Sequence, residues 1–416
     1  MKSVKRSGRT HEVLSKGLVS VALLLALFLP QHVQAGWKTY LYDFERTNHS
    51  PTEETFTPES SWQRSTTGIF YRMRRISTPS VAPPVIHKGV LYEGTPQGRL
   101  LAIELSAHRT LWKFKAPYGI DAPATVVDGM VCVATVGGTL HCLETDTGKE
   151  LWQFQATSEI LASPVIEGEF VYINSASGRV YALSRYTGEK LWSYTHRSAH
   201  YVVPRLRTSP AVDERRLFVL FPDGWLVALD KKTGKELWKK ELFRIDEALN
   251  IPQARRTPTV AEGILYVLDR KGRLLLLSVE DGKELDRYPV AGLVDFTVTA
   301  KRLYIATSDT VTAVNSSTGG RRWRVRLEGK KIYSVLSTER YVVVLSNEEK
   351  KRFSLTKKKR IKVTGSIDIL DTETGRIIWT DNLPHRVRTH AALDIPYLAV
   401  VTTKGRLVVV SQSLGR

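Results

Sequence analysis

Six arginines lie just ahead of three short apolar segments of the chain, and three of them occupy matching positions. Arg207, Arg255 and Arg388 each lie three residues before a proline or alanine that opens such a segment. The other members of the set are close neighbours of these three: Arg205, Arg256 and Arg386. Guanidinium groups held together bind carboxylate or phosphate groups. We interpret the set as a candidate anion-binding site, with solvated or carboxylate-paired arginines as the alternative.

A second concentration of positive charge lies in residues 347–363. It contains only two acids, Glu348 and Glu349, and eight basic residues: Lys350, Lys351, Arg352, Lys357, Lys358, Lys359, Arg360 and Lys362. We expect a lengthened basic hairpin that projects from the fold. Such a hairpin could dock on anionic lipid or on an acidic partner. A loop that is merely solvated is the alternative.

The chain has two cysteines, Cys132 and Cys142, in a segment that predicts a β-hairpin. If Val136, Gly137 and Gly138 form a three-residue loop with Gly138 left-handed, Cys132 faces Cys142 across the two strands. That position is a non-hydrogen-bonded pair with the Cα atoms about 4.5 Å apart, at the short end of the disulfide range. In an oxidising compartment a cross-strand disulfide is favoured over two buried thiols.

The other candidate chemistry is weak. His196 and His200 are four residues apart, which suits a metal on a helix, but they fall in a segment predicted to be extended. No nucleophile motif is present. We therefore expect no metal site, no catalytic residues and no cofactor.

The elements that must position these residues are set by an internal repeat. Residues 146–152, 186–192 and 232–238 share a Thr-Gly turn followed by tryptophan, and Trp112, Trp152 and Trp192 are 40 residues apart. Weaker copies lie at 106–112, 280–286, 317–323 and 373–379. A period near forty with four short strands per unit predicts a β-propeller.

Counting the units gives an all-β, eight-bladed propeller of four-stranded blades. Seven units are complete, the seventh carries the insertion at 347–363, and the last has three strands. The isolated segment around Trp62 supplies the missing outer strand, so that the N-terminal strand closes the ring and removes an open edge. Residues 36–55 look polar and irregular apart from a strand-like stretch at 37–43, and we expect removal of residues 36–54 to have a mild effect on stability.

The repeat resembles the pyrroloquinoline-quinone-type propeller repeat, whose outer strand follows a Thr-Gly-x-x-x-Trp turn. Within that superfamily the chain is similar to the BamB family of outer-membrane protein assembly factors. Quinoprotein dehydrogenases share the eight-fold architecture, but the resemblance implies an adjacent cysteine pair and a calcium site for them. Here the two cysteines are ten residues apart.

The N-terminus predicts export. A basic start is followed by an apolar stretch at 18–29 and by Val33-Gln34-Ala35, which together are typical of a signal peptide over residues 1–35. The mature chain, 36–416, is then one propeller domain in the periplasm or another extracytoplasmic space. No cysteine lies near the cleavage site, so we expect no lipid anchor.

Composition and resemblance together suggest a function. The net charge of +19 favours anionic envelope components or acidic proteins as partners, and export makes nucleic acid an improbable one. We expect a monomeric, non-catalytic scaffold that supports outer-membrane protein assembly and makes peripheral membrane contact at most. A binding propeller for an anionic small molecule or glycan is the alternative, and a quinoprotein dehydrogenase is the third.

Overall fold

The structure is a computed structural model that describes residues 39–66, 82–127, 129–198, 207–244, 257–269, 271–288, 292–352 and 360–412. These residues form β-strands and turns and contain no α-helix. Accordingly, no helix in this part of the chain is long and apolar enough to cross a membrane.

Two strands precede the repeats, β1 (His49–Ser50) and β2 (Ser60–Ser65). The first three blades are formed by β3 (Val85–His87), β4 (Val90–Gly94), β5 (Arg99–Glu104), β6 (Arg109–Lys115), β7 (Thr125–Val127), β8 (Met130–Ala134), β9 (Thr139–Glu144), β10 (Glu150–Gln155), β11 (Val165–Glu167), β12 (Phe170–Asn174), β13 (Arg179–Ser184) and β14 (Lys190–Thr195).

Blades 4 to 6 follow the same order. Their strands are β15 (Ala211–Val212), β16 (Arg216–Leu220), β17 (Trp225–Asp230), β18 (Glu236–Glu241), β19 (Thr259–Ala261), β20 (Ile264–Leu268), β21 (Leu274–Ser278), β22 (Glu284–Tyr288), β23 (Asp295–Val298), β24 (Arg302–Ala306), β25 (Thr310–Asn315) and β26 (Arg321–Arg326).

Blade 7 has the longest strands, and blade 8 takes three strands from the C-terminal end. The strands are β27 (Lys330–Thr338), β28 (Tyr341–Arg352), β29 (Arg360–Asp371), β30 (Ile377–Leu383), β31 (Ala392–Asp394), β32 (Tyr397–Val401) and β33 (Arg406–Ser411).

Eight antiparallel sheets make the ring, and the first strand of each lies nearest the centre, where neighbouring first strands contact one another. β2 pairs with β33 from Ser60 opposite Ser411 to Ser65 opposite Arg406, so the N-terminal strand completes blade 8. This pairing covers the edge of β33, which would otherwise be open, and gives blade 8 the same four strands as the other blades. The predicted eight-bladed architecture and its closure are confirmed.

A tryptophan in the outer strand of one blade packs onto the turn of the next. Trp112 donates its Nε1–H to the Thr145 carbonyl at 2.6 Å, and its ring covers Gly148. Gly148 has φ +71°, and a Cβ there would lie 2.6 Å from the ring, so only glycine fits. The same contact joins four further pairs: Trp152–Gly188, Trp192–Gly234, Trp238–Gly282 and Trp323–Gly375. We call this contact the tryptophan latch.

The cysteines lie in the central hairpin of blade 2. The Thr135 N–H donates to the Thr139 carbonyl, Gly138 has φ +83°, and Cys132 is the partner of Cys142 in the β8–β9 register. The two Cα atoms are 4.1 Å apart and the sulfur atoms are within disulfide distance.

The centre of the ring is filled by residues 39–50, which we call the plug. Inner-strand N–H groups of four successive blades donate to plug carbonyls at 2.8–3.2 Å: Val212 to Phe44, Val260 to Glu45, Val298 to Thr47 and Ser337 to Asn48. β1, the end of the plug, then pairs in parallel with β27. The polar groups of the plug are thus satisfied by the blades around it.

Arg46 lies at the middle of the plug and is fully buried. Its guanidinium donates to the carbonyls of Pro210 (3.0 Å), Tyr40 (2.7 Å) and Pro164 (3.4 Å), and to the Thr39 hydroxyl (2.9 Å). Arg46 itself has φ +66°, a left-handed conformation that a non-glycine residue keeps only when its surroundings hold it there. One side chain therefore ties the plug to blades 3 and 4.

These contacts correct the expectation that residues 36–54 are peripheral. Residues 39–50 are mostly buried at the axis of the ring. The strand expected at 37–43 is also wrong in its described part, where only an isolated bridge joins Thr39 and Tyr42. Because the plug bonds to inner strands that are distant in sequence, no local pattern in residues 39–50 predicts their central position.

Substitution of Arg46 tests the plug. We expect Arg46→Met to lower the free energy of unfolding by about 2–4 kcal/mol, because several buried acceptors lose their donor. Urea unfolding of the full chain measures it. Arg109→Met, at an exposed position, is the control. Deletion of residues 36–54 should destabilise the domain as well, and a deletion variant as stable as the intact chain would contradict the plug.

The closure of the ring generates a pH prediction. Glu93 of blade 1 is buried, with Oε1 2.7 Å from Thr66 Oγ1, and that hydroxyl lies 3.0 Å from the Gly405 carbonyl of blade 8. Burial raises the pKa of Glu93 to about 8. The protonated carboxyl can donate to the Thr66 hydroxyl, which leaves the hydroxyl proton for Gly405.

Because the folded state binds this proton more tightly than the unfolded state, stability falls as pH rises from about 4.5 to about 8. The Glu93 contribution to that slope is at most about 1.4 kcal/mol per pH unit. We expect Glu93→Gln to unfold with a flatter pH dependence than the wild type in urea at pH 5, 6.5 and 8. Identical slopes in the two proteins would refute the assignment.

Candidate functional site at the channel mouth

We call the end of the ring at which the chain enters the inner strands the mouth, and three of the predicted arginines lie there. Arg207 precedes β15, and Arg386 and Arg388 precede β31; all three are exposed. Tyr333, in β27, contacts Arg388 through its hydroxyl, and all three guanidinium groups are near enough to lower its pKa electrostatically. Blades 4, 7 and 8 thus present three guanidinium groups around one phenol.

A hydrogen bond and burial hold Tyr333 in place. Its hydroxyl donates to the Arg388 carbonyl at 2.6 Å. Burial in the first place, and then the carboxylate of Asp295, raise the pKa of Tyr333 to about 12, against the opposing effect of the arginines. The phenol is therefore neutral at physiological pH and remains a hydrogen-bond donor.

An aromatic and acidic floor lies beneath the arginines. His390 packs edge-on against Tyr40 of the plug, with ring centroids 5.1 Å apart, and against Tyr333 at 6.0 Å. Its Nε2 lies 3.4 Å from a carboxylate oxygen of Asp295, which is fully buried. Asp295 also accepts from the Val335 N–H at 3.0 Å. The plug and three blades meet at this floor, so the mouth has a fixed base.

The mouth is not uniformly positive. Arg207 Nη2 lies 3.1 Å from a carboxylate oxygen of Asp121, which follows the outer strand of blade 1. Part of the predicted set is therefore carboxylate-paired, as the alternative interpretation allowed. Arg205, Arg255 and Arg256 lie outside the described residues, and their place in the site stays a prediction.

The basic insertion is a continuation of blade 7. β28 and β29 pair without interruption from Tyr341 opposite Asp371 to Arg352 opposite Arg360, so the ladder includes Lys350 and Lys351 opposite Lys362 and Ile361. Lys362 is exposed. Lys357, Lys358 and Lys359 lie outside the described residues. The lengthened hairpin is present, and its role stays a prediction.

His196, which the sequence presented as half of a possible metal pair, has another partner. Its Nε2 lies 2.7 Å from a carboxylate oxygen of Asp223, and its ring stacks on Phe221 at 4.5 Å. Burial by itself would raise the pKa of Asp223, but the interaction with His196 lowers it. The pKa of this carboxyl therefore lies below its usual value. His196 lines a groove of about 610 Å³ between blades 3 and 4 with Trp225 and Lys239. His200 lies outside the described residues.

Sequence reasoning missed Tyr333, His390, Asp295 and Tyr40. His390 could have been found, because it follows Arg388 by two residues, where the matching positions after Arg207 and Arg255 hold Ser209 and Thr257. No comparable signal exists for Tyr40, since only the plug brings it to the mouth.

The mouth does not fit the quinone site that the resemblance to quinoprotein dehydrogenases implies. The two cysteines are cross-strand neighbours inside blade 2 rather than an adjacent pair at the mouth. In the described part of the chain, no group of three or more His, Cys, Asp or Glu residues could hold a metal ion.

Comparison with known proteins gives one family match. The sequence model of the family described as outer membrane protein assembly factor BamB matches residues 96–324 and 288–416, which is most of the chain. A search of curated protein sequences finds no match.

Solved structures show the same fold at low identity. BamB from Moraxella catarrhalis is 20% identical with a TM-score of 0.65, and the match covers 86% of this chain and all of that one. The computationally designed protein Ika8 is 15% identical with a TM-score of 0.65, over 81% of this chain and 97% of its own. Quinohemoprotein alcohol dehydrogenase from Comamonas testosteroni is 14% identical with a TM-score of 0.66, over 92% and 81%.

Removal of two mouth arginines tests the site. We expect Arg207→Gln with Arg388→Gln to weaken binding of citrate or inorganic phosphate at least about tenfold, by loss of charge-assisted hydrogen bonds. Stability should change by less than about 0.5 kcal/mol, because both side chains are exposed. Isothermal titration and urea unfolding measure the two effects.

A matched control for this variant is Arg99→Gln with Lys113→Gln, two exposed cations on blade 1. Equal anion binding by the mouth variant, the control and the wild type would show that the mouth is not an anion site.

Proposed function

The chain belongs to the family of the outer membrane protein assembly factor BamB, and from this premise we propose that it is an exported, non-catalytic scaffold supporting outer-membrane protein assembly. The family match over residues 96–416 carries the proposal. The predicted signal peptide at 1–35 supports export to the cell envelope. The eight-bladed ring supports a scaffold, since it presents many loops and outer strands to proteins.

Charge supports the choice of partners. The net charge of +19 favours acidic protein faces or anionic envelope components. The β28–β29 hairpin carries much of this charge at one place and extends from blade 7, so we propose it as the contact with the envelope. Its attraction to an anionic surface is electrostatic and should weaken as salt shortens the Debye length.

The absence of catalysis is also a proposal. Its support is in the sequence, where the two cysteines stand ten residues apart, and in blade 2, where they face each other across a hairpin. The chain shares its fold with quinoprotein dehydrogenases, and a fold by itself does not define activity.

Binding of an anionic small molecule or glycan at the mouth is a second candidate function. The observation that favours it is that Tyr333 bonds to the Arg388 carbonyl and that Arg207, Arg386 and Arg388 all act on its phenol electrostatically. The scaffold function does not require that arrangement.

Shortening the hairpin tests the scaffold proposal. We expect replacement of residues 348–363 by a two-residue turn to reduce association with envelope membranes or their proteins several-fold at low salt. Raised salt should reduce wild-type association in the same way. Sedimentation with envelope extracts after mild crosslinking measures it.

The mouth variant, Arg207→Gln with Arg388→Gln, is the control and should associate as the wild type does. If the shortened variant associates normally at low salt, the hairpin is not the contact. If the full chain recovers no outer-membrane assembly protein, the scaffold proposal fails.

A further inference from the structure

The joint between blades 5 and 6 lacks the tryptophan latch that the five regular joints share. In β22 the position of the tryptophan is occupied by Asp286, opposite Leu276 as Trp238 is opposite Ala228 in blade 4. Asp286 is exposed. Its carboxylate accepts from the Arg287 N–H at 2.7 Å instead of reaching across the joint.

The turn that a tryptophan would cover is nevertheless present in blade 6. Gly319 has φ +68°, as the glycines of the regular latches do, and its N–H donates to the Asn315 carbonyl at 3.0 Å. A Cβ on Gly319 would find nothing nearer than the Tyr288 hydroxyl at 3.9 Å, whereas at Gly188 it would meet an indole at 2.5 Å. The space directly over Gly319, which an indole covers at the regular latches, is therefore open apart from the Tyr288 hydroxyl at its edge, and we call it the vacant slot.

The regular latches define what the slot accepts. Each one takes an indole whose Nε1–H donates at 2.6–3.2 Å to the carbonyl three residues before the turn glycine. The equivalent carbonyl of blade 6 is that of Ser316. The slot thus offers a flat surface over Gly319 and a hydrogen-bond acceptor at its edge, which suits tryptophan above other side chains.

The wall opposite Asp286 is basic. β26 and β18 have the same length and the same register shift, which places Arg321, Arg324 and Arg326 at the positions of Glu236, Lys239 and Glu241. These three residues of β18 line the groove between blades 3 and 4. By the same geometry, the three arginines face the joint between blades 5 and 6.

Most of this arginine charge is not neutralised. Arg326 Nε lies 2.7 Å from a carboxylate oxygen of Asp309. Arg321 and Arg324 are exposed, and they take part in no ion pair with the described residues. Among the outer strands that the structure describes, β26 alone carries four arginines and no acid. Two independent departures from the repeat, a missing indole and an arginine row, therefore meet at one joint.

We propose that this joint binds an extended segment of a partner protein in which an aromatic residue, best a tryptophan, is flanked by acidic residues. The aromatic ring enters the vacant slot over Gly319, and the flanking carboxylates pair with Arg321 and Arg324. Buried aromatic anchors and arginine–carboxylate pairs are the contacts that dominate protein interfaces. The inference rests on the scaffold function, because it supposes a protein partner and names its chemistry.

The probe is a fluorescein-labelled ten-residue peptide with one tryptophan between glutamates, titrated with the full chain and followed by anisotropy. A second peptide has alanine in place of the tryptophan, and a third has lysines in place of the glutamates. We expect the first to bind at least about tenfold more tightly than either of the others, a difference of about 1.4 kcal/mol.

Three variants locate the binding. Asp286→Trp fills the slot with the residue that the other joints use, and should abolish the preference for the tryptophan peptide. Asp286→Phe serves if the larger side chain disturbs folding. Arg324→Glu should weaken binding at least about tenfold, while Lys113→Glu, at the matching position of β6, should bind like the wild type.

Several results would overturn the proposal. Equal affinity for the tryptophan and alanine peptides would mean that charge alone acts, as on an anionic vesicle, which is tested in parallel with phosphatidylglycerol. Unchanged binding by a folded Asp286→Trp variant, or no binding of any peptide at millimolar concentration, would also refute it. These assays use purified components, so their failure is distinct from a failure of envelope association.

Discussion

The tryptophan latch is the contact on which the ring depends. Neighbouring blades share no strand pairing and are connected only by a short segment of chain. Each joint must therefore be held by packing between the two sheets. The latch does this with one indole, which covers the left-handed glycine of the next turn and donates to a carbonyl of that turn. Because glycine is required both for its φ and for the space that the ring occupies, tryptophan and glycine must recur together.

The same requirement explains why departures from the repeat are informative. At the joint between blades 8 and 1, His108 takes the left-handed position with φ +54°, and Trp62 stacks on its ring at 4.8 Å. There the rings are tilted by 34°, and an indole still covers the turn. Between blades 5 and 6 the glycine is kept and the indole is lost. The turn thus keeps the glycine and the carbonyl that accept an indole, although the tryptophan is missing. A local inconsistency of this kind marks functional surfaces.

The plug determines which chemical groups lie at the centre of the ring. It bonds to the inner strands of blades 4 to 7 and fills the centre of the ring, and its Tyr40 packs against His390. Within the plug, desolvation and then the neighbouring Asp43 raise the pKa of Glu45 to about 7. The plug therefore determines which side chains lie beneath the arginines of the mouth.

The sequence by itself determined the blades, because their signals are local. Alternating strands, turn glycines and the Thr-Gly-x-x-x-Trp unit each act within about forty residues, and they predicted eight blades, the closing strand at Trp62 and the facing positions of Cys132 and Cys142. Even the missing latch was visible as Asp286 in a weaker copy of the repeat. The substitution can be interpreted only once the turn that the tryptophan would cover is known, and that turn lies in the next blade, over thirty residues away in sequence.

Only the tertiary structure decided the plug and the mouth. Arg46 bonds to residues as far as 164 positions away, and Tyr40 meets His390 across 350 positions. Contacts of such separation leave no periodic pattern in the segment that makes them, so residues 39–50 resembled a polar leader to the domain. Their place at the axis follows from the ring itself, whose inner strands would otherwise leave backbone donors unpaired at its centre.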